Sequence, residues 1–260
     1  MKLKYSTQGA GEPLILLHGM FGSRSNLGLL GRVLSDKYMV IAPDLRNHGQ
    51  SPHSEEMNYP CMANDIIRLM NDLNLSRAAL IGHSMGGKIA MQVALNHANR
   101  INKIVIADIS PVNYESDRYG EVIAGLNVLI KTRPSSRMEA DKLLSSCIKN
   151  GAIRAFLLKN IVRGIDGKFD LRLFMKGIIA NYYDKLTSAP AGQPFIGSSL
   201  FVRGKNSPYI QDKHLDEILR LFPRAQLKTI NNAGHWLHTE KPEEFNQIII
   251  NFLNLQVDLE

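Results

Sequence analysis

A serine hydroxyl is a poor nucleophile at neutral pH, so a serine raised on a glycine-rich turn asks what would activate it. Residues 79–94 read ALIGHSMGGKIAMQVA, an apolar run, then Gly82-His83-Ser84-Met85-Gly86, then residues at helical spacing. Gly-x-Ser-x-Gly is the pattern of a strand that turns sharply into a helix with the serine at the apex, a close approach that only small flanking residues permit. Alone the motif is short and weak. Here an apolar run leads into Gly82 and a helical stretch leaves Met85, which is the context the motif requires. The competing reading is an ordinary glycine-rich turn; neither Gly-x-Gly-x-x-Gly nor the phosphate-binding Gly-x-x-x-x-Gly-Lys-Ser/Thr is found.

A reactive serine needs a base, and the chain has eight histidines. His97, at the end of the helix after Ser84, and His214, in a polar segment, read as solvated surface. His83 adjoins the serine, but neighbouring side chains on a sharp turn point apart. His235 lies in AQLKTINNAGHWLHTEKPEEF, after a strand and an Asn/Gly loop and before the final helix, where the base is expected when the order is Ser, acid, His. His238, three residues on, is its competitor. The attacked carbonyl also needs donors for its oxygen. The candidates are the backbone amides of Met85, after the serine, and of Met20 in LLHGMFGS, with Phe21 as the fallback. His18 reads as a residue that orders this loop.

These residues must be carried by a frame, and the apolar pattern supplies one. PLILLHG (13–19), YMVIAPD (38–44), AALIG (78–82), KIVIAD (103–108), SLFVRG (199–204) and AQLKTI (225–230) are short apolar runs closed by Gly, Asp or Pro, as strands of a parallel sheet read when both faces are buried. Leu27, Leu30, Val33 and Leu34 form a helical stripe, as do Ala63, Ile66, Ile67, Met70 and Leu73, and Ile89, Ala90, Val93 and Ala94. The sum is an α/β fold. Between about 112 and 190 the alternation stops. Helical patterns at 121–131, 137–150, 152–162 and 171–186 predict a helical cap inserted into a core of residues 1–111 and 191–260. A final helix spans 242–255.

Composition bounds the partners. With 260 residues and 44% hydrophobic content, the chain can bury a sizeable core. Its net charge of +7 is spread along the sequence without a basic block or aromatic-basic interleaving, which argues against nucleic acid and leaves an anionic substrate open. Cys61 and Cys147 lack metal-ligand spacing, so neither a disulfide framework nor a metal site is expected. No long apolar run and no signal-peptide pattern at the N-terminus are visible, so the expectation is a cytoplasmic protein without stable membrane association.

The combination HGMFGS, DLRNHGQS (44–51), GHSMGG and AGHWLHTEKPEEF resembles the α/β-hydrolase superfamily across essentially the whole chain. DLRNHGQSPHSEEMNYPCMANDI with IADISPVNY and FVRGKNSPYI resembles the YbfF-type esterases of bacteria. The resemblance implies a mainly parallel sheet of seven or eight strands flanked by helices, a helical cap, no metal or organic cofactor, and hydrolysis of acyl esters or thioesters through a serine acyl-enzyme. The chain departs from the superfamily at the acid. After SLFVRG come Lys205, Asn206, Ser207 and Pro208, so Ser207 occupies the acid's usual place. Asp108, at the end of the preceding strand KIVIAD, is then the natural substitute, because adjacent parallel strands present their carboxyl ends to one crevice. In YbfF-like enzymes an aspartate is similarly placed, with the serine completing the constellation. Asp44 reads as a turn former, and Asp212 and Asp216 as helix-surface charges.

The expected enzyme is therefore a carboxylic ester or thioester hydrolase for short- to medium-chain acyl groups, with acyl-CoA among the candidate substrates. Its catalytic residues are Ser84, His235 and Asp108, with Ser207 auxiliary. Dehalogenation and epoxide opening on this fold use a carboxylate at the position of Ser84. The alternatives left are a non-catalytic small-ligand receptor and a C–C bond hydrolase.

Overall fold

A computed structural model describes residues 1–115 and 119–255; residues 116–118 of the expected cap and 256–260 of the expected core lie outside it. The element order is β1 (Tyr5–Gln8), β2 (Glu12–Leu17), α1 (Gly28–Leu34), β3 (Tyr38–Pro43), α2 (Tyr59–Asp72), β4 (Ala78–His83), α3 (Met85–Asn96) and β5 (Ile101–Ala107). An insertion then carries α4 (Gly120–Thr132), α5 (Arg137–Ser145), α6 (Gly151–Leu157), β6 (Ile161–Arg163), β7 (Phe169–Leu171) and α7 (Met175–Asn181). The chain returns through β8 (Ser198–Gly204), α8 (Leu215–Leu221), β9 (Ala225–Ile230), α9 (Leu237–Glu240) and α10 (Pro242–Asn254).

Seven strands form one sheet in the order β1-β3-β2-β4-β5-β8-β9, parallel except for β1 against β3. The central parallel strands β2, β4, β5 and β8 bury both faces over most of their length, which is why they read as apolar runs, whereas the edge strand β9 is only half-buried. Leu14 and Leu16 of β2 face a cluster with Leu30 of α1 and Ile249 of α10, while Ile15 and Leu17 face Met62 of α2 and Ile89 of α3. Leu126, Leu144 and Ile178 of the insertion join this second cluster. Among the described residues no helix is long and apolar enough to cross a membrane.

Two regions differ from the sequence reading. β1, YSTQ, is a mostly exposed edge strand, and a polar four-residue stretch gives no burial pattern to read. The insertion is not purely helical: β6 and β7 pair antiparallel, with Ile161 opposite Leu171 and Arg163 opposite Phe169. Gly167, at φ 79°, occupies the turn between them. Three-residue strands are too short to show a period of two, so the helical stripes on either side overran them. The stripe at 171–186 accordingly shortens to α7 followed by a π turn at Tyr182–Leu186.

Candidate active site

The turn at Ser84 is built by its neighbours' lack of side chains. Ser84 sits at φ 53°, in the left-handed region, between β4 and α3. A Cβ on Gly82 would stand 2.2 Å from the carbonyl oxygen of Gly86, and one on Gly86 would stand 2.2 Å from that of Leu17. Both obstacles are backbone, so the turn closes only with glycine at these positions. Ser84 is held at the carboxyl edge of the sheet by its amide, which donates to Ala107 O at 3.0 Å.

His235, on the loop after β9, reaches it. The Ser84 hydroxyl lies 3.0 Å from His235 Nε2, and His235 Nδ1 lies 2.7 Å from Asp108 Oδ2. Asp108 follows β5, is fully buried, and takes φ 52°. Its carboxylate is anchored by the Gly204 amide on Oδ1 at 3.1 Å and by the Ser207 hydroxyl on Oδ2. With Asp108 accepting from Nδ1, the imidazole presents Nε2 as an acceptor to the serine, the tautomer that general-base chemistry at a serine requires. Ser207 touches the Asp108 carboxylate rather than the imidazole ring. The structure thus brings Ser84, His235, Asp108 and Ser207 into one chain of hydrogen bonds.

Further residues frame the imidazole. Tyr209 stacks on it with ring centroids 4.0 Å apart and planes inclined at 23°. His83 Nε2 donates to the backbone carbonyl of His235 at 2.8 Å and so fixes the loop that bears His235. Burial holds the His83 imidazole neutral, its pKa well below 6.5.

The loop after β2 is ordered by two neutral histidines. His18 Nδ1 donates to Gly19 O at 2.8 Å and Nε2 accepts from Leu45 N at 3.0 Å. His48 Nδ1 donates to Arg46 O at 2.8 Å, and its Nε2 accepts from the Phe21 amide at 3.1 Å. Burial pulls their pKa values down to about 4 and about 3. The Phe21 amide is therefore already taken, and the fallback donor is withdrawn. Met20 and Met85 line a small hollow against Ser84, and their amides make no hydrogen bond among the described residues. As the first residue of α3, Met85 has no intrahelical acceptor for its N–H.

Ser84 and His235 open onto a cavity of about 190 Å³. Phe21 and Trp236 line it from the sheet side, and Tyr119, Val122, Ile153 and Leu157 from the insertion. A wider one of about 610 Å³ shares His235, Trp236 and Phe156 with it and adds Asn150, Lys159 and Glu240.

The remaining sequence candidates are placed elsewhere. His97 caps α3, and His238 packs its ring 4.5 Å from that of His83 without reaching Ser84. His214 corrects the surface reading: it is buried, with Nδ1 3.1 Å from Ser110 Oγ. Asp44 accepts the amides of Arg24 and Gln50 at 2.8 and 3.0 Å as a turn former. Asp212 pairs with Arg203 at 2.6 Å, and Asp216 lies in the first turn of α8. Sequence reasoning missed His48, Tyr209 and Tyr119, because a histidine within DLRNHGQS and scattered tyrosines carry no local periodic signal.

A family model of the alpha/beta hydrolase fold matches residues 12–242. The chain belongs to this family. The sn-1-specific diacylglycerol lipase ABHD11 of Mus musculus is 40% identical to this hydrolase over 248 residues, covering 92% of the chain and 80% of its own length. Esterase YbfF of Escherichia coli (strain K12) is 35% identical over 259 residues, covering 98% and 100%. Among solved structures, a marine microorganism esterase superposes with a TM-score of 0.93 at 37% identity, over 96% of this chain and 99% of its own. With such relatives aligned over nearly its full length, this α/β hydrolase is a carboxylic ester hydrolase.

Proposed function

We propose that Ser84 attacks the ester carbonyl to form an acyl-enzyme. His235 takes the serine proton through Nε2 and passes it to the departing alcohol, and water then repeats the sequence on the acyl-enzyme. Asp108 keeps the ring in its productive tautomer and stabilises the imidazolium, and Ser207 and Gly204 keep the carboxylate in place. The amides of Met20 and Met85 receive the oxyanion. The single observation that carries this reading is the continuous chain Ser84–His235–Asp108, at 3.0 and 2.7 Å, at the floor of an apolar cavity.

Residues 112–190 act in this reading as the cap, and the apolar walls it contributes suit a short- to medium-chain acyl group. A thioester with an anionic leaving group such as coenzyme A is a second substrate class. It is supported by charge: residues 112–190 hold 13 Lys and Arg against 8 Asp and Glu, or +5 of the chain's net +7. Lys159 lines the wider cavity, which begins at the proton-donating His235. The sn-1-specific diacylglycerol lipase among the relatives places glycerol esters in the substrate screen as well.

A fluorophosphonate probe is expected to add at Ser84, and Ser84→Ala to lose labelling and ester hydrolysis together; labelling at a different serine overturns the assignment. KM for an acyl-CoA is expected to rise with ionic strength while that for a neutral ester holds, and equal responses remove charge as a guide to substrate.

A further inference from the structure

One buried charge has no part in that chemistry. Lys88 lies one turn beyond Ser84 on α3, its amide donates to Ser84 O at 3.1 Å, and it is 1% exposed. Its ammonium reaches the base of the insertion. There Nζ donates to the carbonyls of Val112 at 2.7 Å, Thr187 at 3.3 Å and Ser188. Val112 lies on the segment that leaves β5 for α4, and Thr187 and Ser188 on the segment that returns after α7. A single side chain therefore grips both stalks of the insertion.

The chemistry of the grip is well matched. An ammonium has three donors and no acceptor, and three carbonyls meet it. The rings of Tyr114 and Tyr59 stand 4.8 and 5.5 Å from Nζ, within cation–π range. Burial draws the pKa down to about 7, while the carbonyl dipoles and ring faces favour the charged form. An apolar side chain of the same length would fill this space without the cost of desolvating a charge, so packing alone does not account for a lysine here. Its neighbours make parallel ties. Gln92, one further turn along α3, exchanges hydrogen bonds with the backbone of Ala191 at 2.7 and 3.2 Å. The Tyr59 hydroxyl donates to Leu186 O at 2.6 Å, and Tyr114 N to Thr187 O at 2.9 Å.

We propose that Lys88 is a positioning residue that sets the register of the insertion over Ser84 and so shapes the acyl-binding cavity. The floor of that cavity comes from the sheet, and the walls Tyr119, Val122, Ile153 and Leu157 come from the insertion. The same helix turn holds the nucleophile and both stalks, so floor and walls share one reference. This inference rests on the assignment of Ser84 as nucleophile and of the cavity as the acyl site.

Lys88→Met keeps the length of the side chain and removes its charge and donors. Acetate and hexanoate esters of one phenol, the rate of fluorophosphonate labelling, and hydrogen exchange at 112–115 and 187–191 are compared with wild type. KM for the hexanoate is expected to rise about tenfold, the scale of one hydrogen bond to a charged group. The acetate kcat and the labelling rate are expected to stay within about twofold, and the stalk amides to exchange faster. Equal losses on both esters, or an unchanged hexanoate KM, overturn the proposal. A wild-type protein that does not label at Ser84 overturns the nucleophile assignment instead, so the two failures are distinct. If Lys88→Met does not fold, Tyr59→Phe removes the hydroxyl that ties α2 to Leu186 of the same returning stalk; it is expected to give the same split at about threefold, and an equal effect on both esters or none overturns the proposal.

Discussion

Ser207 donates its hydroxyl to the same Asp108 oxygen, Oδ2, that receives His235 Nδ1. The residue at the usual place of the acid thus hydrogen-bonds Asp108 from the loop after the neighbouring strand. β5 and β8 are adjacent in the sheet, with Ala107 opposite Val202, and their carboxyl ends deliver a carboxylate and a hydroxyl to one point.

That arrangement ranks the two residues. A hydroxyl carries no charge with which to stabilise an imidazolium, whereas the carboxylate does so directly. Asp108→Asn is expected to lower kcat by roughly three to four orders of magnitude, because the amide also permits the wrong tautomer. Ser207→Ala is expected to cost about tenfold or less, since Gly204 still anchors the carboxylate and one hydrogen bond of about 1 kcal/mol is lost. Steady-state kinetics with melting curves for both variants check the order, and a larger loss in a well-folded Ser207→Ala reverses it.

Acid should unfold this protein through its histidines. His18 and His238 have pKa values of about 4, His48 about 3, and His83 well below 6.5, in each case first because burial penalises the imidazolium. The folded values lie below the unfolded value near 6.5, so on acidification the unfolded chain takes up protons first. The stability these groups contribute is complete above about pH 6.5 and is lost as pH falls toward 4 and 3. Tm is expected to fall gently from pH 8 to 7, where buried Lys88, its pKa drawn down to about 7, holds fewer protons than in the unfolded chain, and to fall steeply between pH 6 and 4 through the histidines. His48→Gln, which keeps an acceptor for the Phe21 amide and cannot protonate, should flatten that slope; an unchanged slope counts against the assignment.

Two glycines with opposite surroundings give a contrast in stability. Gly82→Ala places a methyl group against backbone at 2.2 Å and is expected to abolish folding of the turn, read as loss of soluble protein or of probe labelling. Gly28, at the start of α1, has nothing within 4 Å of its would-be Cβ. Gly28→Ala is expected to raise stability by about 0.5 kcal/mol through the unfolded chain's lost freedom. Denaturant titration reads both.

The sequence by itself determined the parallel sheet, the serine turn and the histidine after the last strand, because each is written in local terms. Buried strands are apolar runs, a sharp strand-to-helix turn needs glycines two residues either side of Ser84, and a loop histidine before an acidic helix start stands out from its neighbours. The tertiary structure alone decided what those residues meet. Ser84 and His235 are 151 positions apart, and Asp108 and Ser207 are 99 apart; only the strand order in the sheet brings them together. That β5 lies beside β8 is what sets Ser207 on the carboxylate rather than on the imidazole. Likewise, nothing local in GMFGS tells that the Phe21 amide is occupied, since its acceptor is a histidine 27 positions away, made neutral by burial. His214, polar in its own segment, is buried because the loop after β8 folds over Ser110. The β6–β7 hairpin was hidden because its pairing is stabilised across the turn and by packing, and three residues per strand are fewer than a period needs to become visible.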